Sequence, residues 1–191
     1  MTNETKPKAV QCENPDCRKF FLEHNESCPY CGAPRGLPKS TAMDKWDARF
    51  LSLAYHVSNW SKDPSTKVGA IIVDEERRIL ATGYNGLPRG VCDTEERINV
   101  REQKLPRTVH AELNAILSCT LRPKGGTIYV TSLPVCPSCA TAIIQAGIKR
   151  VVMGIPASAL ERHWTQSFKE IVVDMFDEAG VAHELWEVDF E

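Results

Sequence analysis

The chain has 191 residues and a formal net charge of -2 at neutral pH. This length suits one domain with a small appendage, and 42% hydrophobic and 25% charged residues are ordinary for a globular protein. The near-neutral charge argues against a surface that binds nucleic acid by neutralising phosphates. The first residues lack the apolar core of a signal peptide and no apolar run is long enough to span a membrane, so we expect a cytoplasmic protein without membrane partners.

Residues 1–40 are predicted to form a separate module, because they are rich in proline and poor in aliphatic residues. Their four cysteines occur as two closely spaced pairs, Cys12 with Cys17 and Cys28 with Cys31. Four thiolates at such spacing are typical of a structural zinc site, and zinc supplies the folding free energy that a short segment lacks. Cysteines spaced as metal ligands, and not as disulfide partners, are also typical of proteins from a reducing compartment. We therefore expect a zinc-ribbon-like module with a linker, followed by a catalytic domain over residues 41–191.

Predicted helices and strands alternate through the rest of the chain. Apolar residues at helical spacing predict a first helix after Asp44, which is suited to be its N-cap. Strands are expected at 68–73, 79–83, 127–131, 150–153 and 181–188, and further helices at 110–119, 136–146 and 164–179. Residues 84–90 read as a loop, and the polar stretch 91–107 as an irregular or helical excursion over the site. This order predicts an α/β sandwich around one mixed sheet.

Two short motifs carry chemistry. They are His110-Ala111-Glu112 and Cys136-Pro137-Ser138-Cys139. One histidine and two cysteines can hold zinc and leave its fourth position to water, as catalytic zinc sites do and structural ones do not. Zinc lowers the pKa of such a water, and Glu112 is placed to move protons, as hydrolytic deamination requires. A histidine, a glutamate two residues later and a Cys-x-x-Cys form the pattern of the zinc-dependent base deaminases.

Each motif alone has another interpretation. A His-x-Glu on a helix is usually a pair of exposed polar side chains without a chemical role, and a Cys-x-x-Cys also occurs in redox and structural zinc sites. Their joint occurrence at the starts of two predicted helices, with a strand between them, favours the deaminase interpretation. Helix N-termini also favour thiolate ligands. Of the remaining cysteines, Cys119 is expected to be a buried helix residue, and Cys92 is either a further ligand or, as we expect, without a role.

Around these motifs the chain resembles the deoxycytidylate (dCMP) deaminase family over residues 45–188. The resemblance rests on segments 61–70, 83–90, 110–116 and 143–148. It implies a five-stranded, cytidine-deaminase-like α/β/α fold and hydrolysis of dCMP to dUMP and ammonia, which supplies dUMP for thymidylate synthesis. By the same analogy Asn85 holds the deoxyribose, while Ser61 and Lys62 lie where the family contacts the substrate phosphate.

Membership would further imply a homohexamer that dCTP activates and dTTP inhibits. The loop 83–90 is the expected place for such an effector, which could bring Mg²⁺ with it. Nucleic acid is not an expected partner.

The approach to Cys136 departs from the family pattern. The family has proline directly before the first zinc cysteine, whereas here Val135 occupies that position and Pro134 lies one residue earlier. The connection from Val130 is also one residue longer. This backbone normally contacts the exocyclic amine of the base, so the shift can leave zinc binding intact while changing base selection.

Two alternatives to dCMP deamination therefore stay open. One is deamination of another nucleotide, such as dCTP, a modified dCMP or an adenine nucleotide. The other is a binding module, in which the zinc ribbon docks the deaminase domain on a nucleic acid or protein partner. The near-neutral charge argues against nucleic acid in that role.

Overall fold

The computed structural model describes residues 9–11, 20–22, 43–159 and 166–188. Near the N-terminus, β1 (Ala9–Gln11) and β2 (Phe20–Leu22) form a small antiparallel pair. The main sheet has five strands: β3 (Gly69–Val73), β4 (Ile79–Tyr84), β5 (Thr127–Thr131), β6 (Arg150–Ile155) and β7 (Ala182–Glu187). Their spatial order is β4-β3-β5-β6-β7. Because β3 is antiparallel to both neighbours while β5, β6 and β7 are parallel, the sheet is mixed, which confirms the predicted fold.

Helices cover both faces of this sheet. They are α1 (Lys45–Ser58), α2 (Glu95–Asn99), α3 (Arg101–Lys104), α4 (Ala111–Ser118), α5 (Pro137–Ala146) and α6 (Gln166–Ala179). Helix α1 packs on one face, and α4, α5 and α6 pack on the other. The predicted excursion over residues 91–107 consists of α2, α3 and a 3-10 turn at Leu105–Arg107. In the part of the chain that the structure describes, none of these helices has the length and apolar character needed to cross a membrane.

Strand β3, which lies between β4 and β5, is apolar along its whole length because it is buried on both faces. Ala70 and Ile72 belong to the core beneath α4 and α5, whereas Ile71 and Val73 belong to the core beneath α1. A strand with two buried faces needs a continuous apolar run, which explains why this segment does not alternate with polar residues.

Helix α4 lies directly on β4 because of a glycine. A Cβ added at Gly83 would lie 2.3 Å from the Ala111 carbonyl oxygen and 2.4 Å from the Ala115 nitrogen. Any side chain at Gly83 would therefore push against the backbone of α4. Since α4 follows His110 and contains Glu112, this contact sets the depth at which both residues sit.

A buried charge cluster fixes α1 to the opposite face. Arg150 on β6 donates to both carboxylate oxygens of Asp47 at 2.8 and 2.7 Å, and to Glu184 on β7 at 2.8 Å. The Tyr129 hydroxyl donates to the same Asp47 carboxylate at 2.9 Å. Removing one member of such a cluster leaves an uncompensated buried charge, so α1 is held at one register on the sheet.

The two ends of the sheet carry different connections. At one end β3 and β4 are joined by the turn at residues 74–78, in which the Asp74 carboxylate accepts from the backbone nitrogens of Glu76 and Arg78. The connections before β3, after β4 and after β5 emerge at the opposite end, where Gly69 pairs with Tyr84. The predicted site residues lie on these connections.

Candidate active site

His110 lies at the start of α4. The residue before it is hydrogen-bonded to the loop that follows β4. His110 is the N-cap residue of the helix. The residue before it, Val109, forms a two-bond bridge with Gly86: the Val109 nitrogen donates at 2.8 Å and the Gly86 nitrogen at 3.1 Å. The loop after β4 and the approach to His110 therefore form one unit.

Cys136 and Cys139 occupy the first turn of α5. Cys136 is the N-cap, Pro137 begins the helix, and the Cys139 backbone nitrogen donates to the Cys136 sulfur at 3.4 Å. Proline is suited to this position because the first helical N–H has no partner within the helix. Both sulfurs thus lie at a helix N-terminus, whose N–H groups and dipole favour negative charge.

The three side chains converge. His110 Nδ1 lies 3.4 Å from the Cys136 sulfur and 3.4 Å from the Cys139 sulfur, and the three donor atoms all lie within 4.8 Å of one another. Tetrahedral zinc, with bonds of about 2.0–2.1 Å to nitrogen and about 2.3 Å to sulfur, would place such atoms about 3.6 Å apart. The donor set and its spacing therefore fit a zinc ion. His110 is exposed and Cys139 is buried, so the cluster opens to solvent on the histidine side.

The electrostatics of the cluster also favour a metal ligand set. Hydrogen bonds from the Cys139 thiol and from His110 lower the pKa of Cys136 to about 4, against the opposing effect of burial. Its sulfur is therefore a thiolate at neutral pH. The hydrogen bond to Cys136 in turn raises the pKa of His110.

Glu112 lies beneath this cluster and is 4% exposed. Burial raises the pKa of its carboxyl group to about 7, although His110 and a hydrogen bond with Cys139 act in the opposite direction. A carboxyl group with a pKa near the working pH can both accept and release a proton. Position and electrostatics therefore suit the proton-shuttle role predicted for this residue.

Residues 44–155 match the family model of the cytidine and deoxycytidylate deaminase zinc-binding region. The chain belongs to this family.

Relatives of known sequence support this assignment. An uncharacterized deaminase in the luxG 3′ region of Aliivibrio fischeri is 42% identical over 139 residues, which cover 73% of this chain and 92% of that protein. Human deoxycytidylate deaminase is 42% identical over 116 residues, which cover 56% of this chain and 64% of the human protein. The aligned part thus spans slightly less than two thirds of the human enzyme.

Among solved structures, the dCMP deaminase of cyanophage S-TIM5 in complex with dCMP and dUMP superimposes with a TM-score of 0.58. It is 27% identical, and the match covers 76% of this chain and 99% of the phage protein. The family fold is therefore shared along the whole phage enzyme.

Two predicted substrate-binding residues of this family member, Asn85 and Ser61, are buried and bonded to each other. The Ser61 hydroxyl donates to the Asn85 carbonyl oxygen at 2.7 Å. The Asn85 side chain accepts from the Val68 nitrogen at 2.8 Å and donates to the Thr66 carbonyl oxygen at 2.9 Å. Both residues therefore hold the loop before β3 against the end of β4, and their contact with substrate stays a prediction.

The third predicted substrate residue, Lys62, lies beside them at the surface. Its side chain is 72% exposed, and its ammonium group lies 2.5 Å from a carboxylate oxygen of Asp93. That hydrogen bond raises the pKa of Lys62, so the side chain is cationic at neutral pH. An exposed cation of this kind is suited to a phosphate, with Asp93 as its partner in the free protein.

The connection from β5 to Cys136, for which we predict one residue more than in the family pattern, contains a kink. Ser132 has a φ of 73°, in the left-handed region, and its nitrogen donates to the Gly154 carbonyl oxygen at 3.1 Å. Val135 is fully buried in the core beneath α5. The unusual Pro134-Val135 order therefore coincides with an irregular backbone after β5, while Cys136 still reaches its place beside His110.

The remaining cysteines are outside this cluster. Cys92 is exposed and Cys119 is partly buried. The four N-terminal cysteines, Cys12, Cys17, Cys28 and Cys31, lie outside the described residues, so their zinc site stays a prediction.

One contact at the site was not predicted from the sequence. The Lys104 ammonium group lies 2.9 Å from an oxygen of Asp63 and 3.2 Å from the Ser65 hydroxyl. Asp63 belongs to the segment 61–70 that carried the family resemblance, but Lys104 lies in a polar stretch without periodicity. A lone lysine in such a stretch gives no sign that it is buried.

Proposed function

We propose that the protein is a zinc-dependent deoxycytidylate deaminase, which hydrolyses dCMP to dUMP and ammonia. The observation that carries this proposal is a buried carboxyl group, Glu112, directly beside a cluster of His110, Cys136 and Cys139. The deoxycytidylate deaminases among the relatives and the phage enzyme with bound dCMP and dUMP support the choice of substrate.

The chemistry can be divided between the metal and the chain. When bound by His110 and the two cysteines, zinc lowers the pKa of a water molecule toward neutrality, which makes a nucleophile available for C4 of cytosine. The Glu112 carboxylate would accept one proton from the attacking water and transfer it to ring nitrogen N3. It would then accept the second proton of that water, from the hydroxyl group now on C4, and transfer it to the amino group, which leaves as ammonia while C4 becomes a carbonyl. A pKa of about 7 for Glu112 suits these transfers in both directions.

The substrate is held, in this proposal, by the loop that faces the cluster. Asn85 contacts the deoxyribose, Ser61 contributes near the 5′-phosphate, and Lys62 exchanges Asp93 for that phosphate. A charge-assisted bond to phosphate provides selectivity for the nucleotide over the nucleoside.

The same proposal extends to features that the described residues do not include. A second, structural zinc is bound by Cys12, Cys17, Cys28 and Cys31. The protein works as a homohexamer in the cytoplasm, with dCTP and dTTP as opposing effectors at the loop 83–90, accompanied by Mg²⁺ where a triphosphate requires it.

A different nucleotide substrate is the second candidate, and the Ser132 kink favours it. Ser132, between β5 and Cys136, has a left-handed backbone. In this candidate, the connection there is one residue longer than the family pattern and changes how the exocyclic amine of the base is contacted. dCTP, a modified dCMP and an adenine nucleotide are the alternatives. The metal chemistry and the role of Glu112 are the same for each.

A substrate panel tests both candidates. Ammonia release is measured with dCMP, dCTP, 5-methyl-dCMP, deoxycytidine and dAMP, with and without dCTP or dTTP as effector. We expect dCMP to be turned over fastest and Glu112→Gln to abolish turnover. Faster turnover of another nucleotide selects the second candidate, and full activity of Glu112→Gln on every nucleotide contradicts both.

A further inference from the structure

A buried ion pair joins the segment 91–107 to the loop before β3. The side chains of Lys104 and Asp63 are each 11% exposed, and their charged atoms lie 2.9 Å apart. The Asp63 carboxylate also accepts from the backbone nitrogens of Ser65 at 2.8 Å and Thr66 at 3.2 Å. A largely buried pair whose carboxylate also accepts two backbone hydrogen bonds is held more firmly than an exposed pair that forms and breaks freely.

Asp63 is connected by hydrogen bonds to Ser61 and Asn85, two of the proposed substrate-binding residues. The Asp63 nitrogen donates to the Ser61 hydroxyl at 3.2 Å, and that hydroxyl donates to the Asn85 carbonyl oxygen at 2.7 Å. Asn85 is followed by Gly86, which is bonded to Val109. The position of the Asp63 carboxylate is therefore coupled to the position of Ser61 and Asn85.

The backbone of Lys104 is connected to the segment before His110, which belongs to the His110–Cys136–Cys139 cluster. The Thr108 hydroxyl donates to the Lys104 carbonyl oxygen at 2.9 Å, and Thr108 stands two residues before His110. Lys104 thus contacts the loop before β3 through its ammonium group and the approach to His110 through its carbonyl group. Lys104 therefore completes a closed series of contacts. The series runs from the segment before His110 to Gly86 and Asn85, then to Ser61 and Asp63, and returns through Lys104 to that segment.

We propose that Lys104 is a positioning residue, which sets the distance between the loop 61–66 and the cluster around His110 and Glu112. The inference rests on the proposed function, because it assigns that loop to substrate binding. Lys104 itself is nearly buried and is occupied by Asp63 and Ser65, so it acts through them and not on the substrate.

Lys104→Met tests this inference, because methionine keeps the unbranched stem and removes the charge. Steady-state kinetics with the full-length, zinc-loaded protein are expected to show a KM for dCMP raised by about tenfold, consistent with the loss of a buried charged hydrogen bond. We expect kcat to stay within about twofold, because Glu112 and the three metal ligands are untouched. Lys104→Arg should restore most of the lost affinity, and zinc content should stay at the wild-type value.

The double variant Lys104→Met, Asp63→Asn distinguishes a loss of loop positioning, seen in KM, from a loss of protein stability, seen in the thermal midpoint. Lys104→Met leaves the Asp63 carboxylate without its cation, and Asp63→Asn removes that charge. In the double variant the thermal midpoint should recover while KM stays high, because neither residue then holds the loop. Recovery of KM together with the midpoint contradicts the positioning role, as does a fall in kcat or zinc content at unchanged KM.

Arg78→Gln is the matched control. It breaks an exposed ion pair with Asp74 in the turn at the opposite end of the sheet, and KM should not change. Should the wild type turn over another nucleotide in place of dCMP, the proposed function is wrong, while the same comparison made with that nucleotide still decides the role of Lys104.

Discussion

Ser61 and Asn85 are joined by a 2.7 Å hydrogen bond from a buried hydroxyl to a backbone carbonyl, 24 residues further along the chain. The bond ties the start of the loop that follows α1 to the residue directly after β4. Gly86, the residue after Asn85, is bonded to Val109, the residue before His110. The Ser61–Asn85 bond is therefore connected to His110 through this bridge. Ser61, which is expected to contact substrate, thus also helps to position His110 in the His110–Cys136–Cys139 cluster.

Ser61→Ala should therefore affect both stability and substrate binding. Loss of the hydroxyl leaves the Asn85 carbonyl without this donor, and the free energy of unfolding should fall by about 1 kcal/mol. KM for dCMP should rise, because the loop is then held by fewer bonds. Urea unfolding and steady-state kinetics measure the two effects. Ser58→Ala is the control: Ser58 is equally buried, but its hydroxyl bonds to Tyr55 of its own helix, so KM should stay unchanged.

Gly83→Ala should displace α4 from β4. The new Cβ would lie 2.3 Å from a backbone oxygen that cannot rotate away, so we expect a loss of at least about 3 kcal/mol in unfolding free energy. The purified variant should also bind less zinc, because His110 moves with α4. Gly86→Ala serves for comparison, since among the described residues its Cβ would meet Tyr84 at 4.0 Å. Equal zinc content in the two variants contradicts the prediction.

Asp93→Asn should reveal what Lys62 does. If Lys62 binds the substrate phosphate, freeing its ammonium group from Asp93 should lower KM for dCMP, by up to about fivefold for a surface pair worth about 1 kcal/mol. KM for deoxycytidine, which has no phosphate, should not change. Lys62→Gln should do the reverse, raising KM for dCMP alone. Equal effects on nucleotide and nucleoside would mean that Lys62 does not bind the phosphate.

Zinc counting tests the two metal sites separately. The wild type is expected to contain two zinc ions per chain by metal analysis. Cys139→Ser should retain one and lose deaminase activity, because the metal cluster is incomplete. Cys28→Ser should also retain one, yet keep activity in the fraction that stays folded. Cys92→Ser, an exposed cysteine outside both sets, should keep both ions.

Acid should weaken the Lys104–Asp63 pair. Burial raises the pKa of Asp63, but the hydrogen bonds from Lys104 and from the backbone of Ser65 and Thr66 outweigh it, so its pKa lies below the ordinary value of about 3.9. A depressed carboxyl pKa adds stability above the unfolded pKa, and this stability disappears as pH falls through the folded pKa. The stability difference between wild type and Asp63→Asn should therefore be constant from pH 7 to about 5 and shrink below about 4. Zinc loss in acid affects both proteins and cancels in the difference.

The sequence predicts the metal cluster well because its members lie in short motifs. His110 and Glu112 are two residues apart, and Cys136 and Cys139 three, so each pair is placed by a single helix start. The strand between them brings the two starts to the same end of the sheet. Secondary structure and motif spacing are therefore sufficient to bring His110 beside the two sulfurs.

The contacts that set the precision of the site are not predictable in this way. Lys104 and Asp63 are separated by 41 residues, and Arg150 and Asp47 by 103. Charged side chains at such separation leave no periodic signal, and each alone resembles a solvated surface residue. The kink at Ser132 is a similar case: the unusual order Pro134-Val135 is visible in the sequence, but the left-handed backbone at Ser132 is not.

The turn at residues 74–78 has a practical consequence. It lies at the end of the sheet away from His110, its residues from Glu75 to Arg78 are exposed, and its conformation is held by Asp74 within the turn itself. A fluorophore or surface tether attached at Glu76 should therefore leave the hydrolytic chemistry undisturbed. The protein can thus be immobilised or labelled through this hairpin tip, with the His110 end of the sheet directed away from the attachment point.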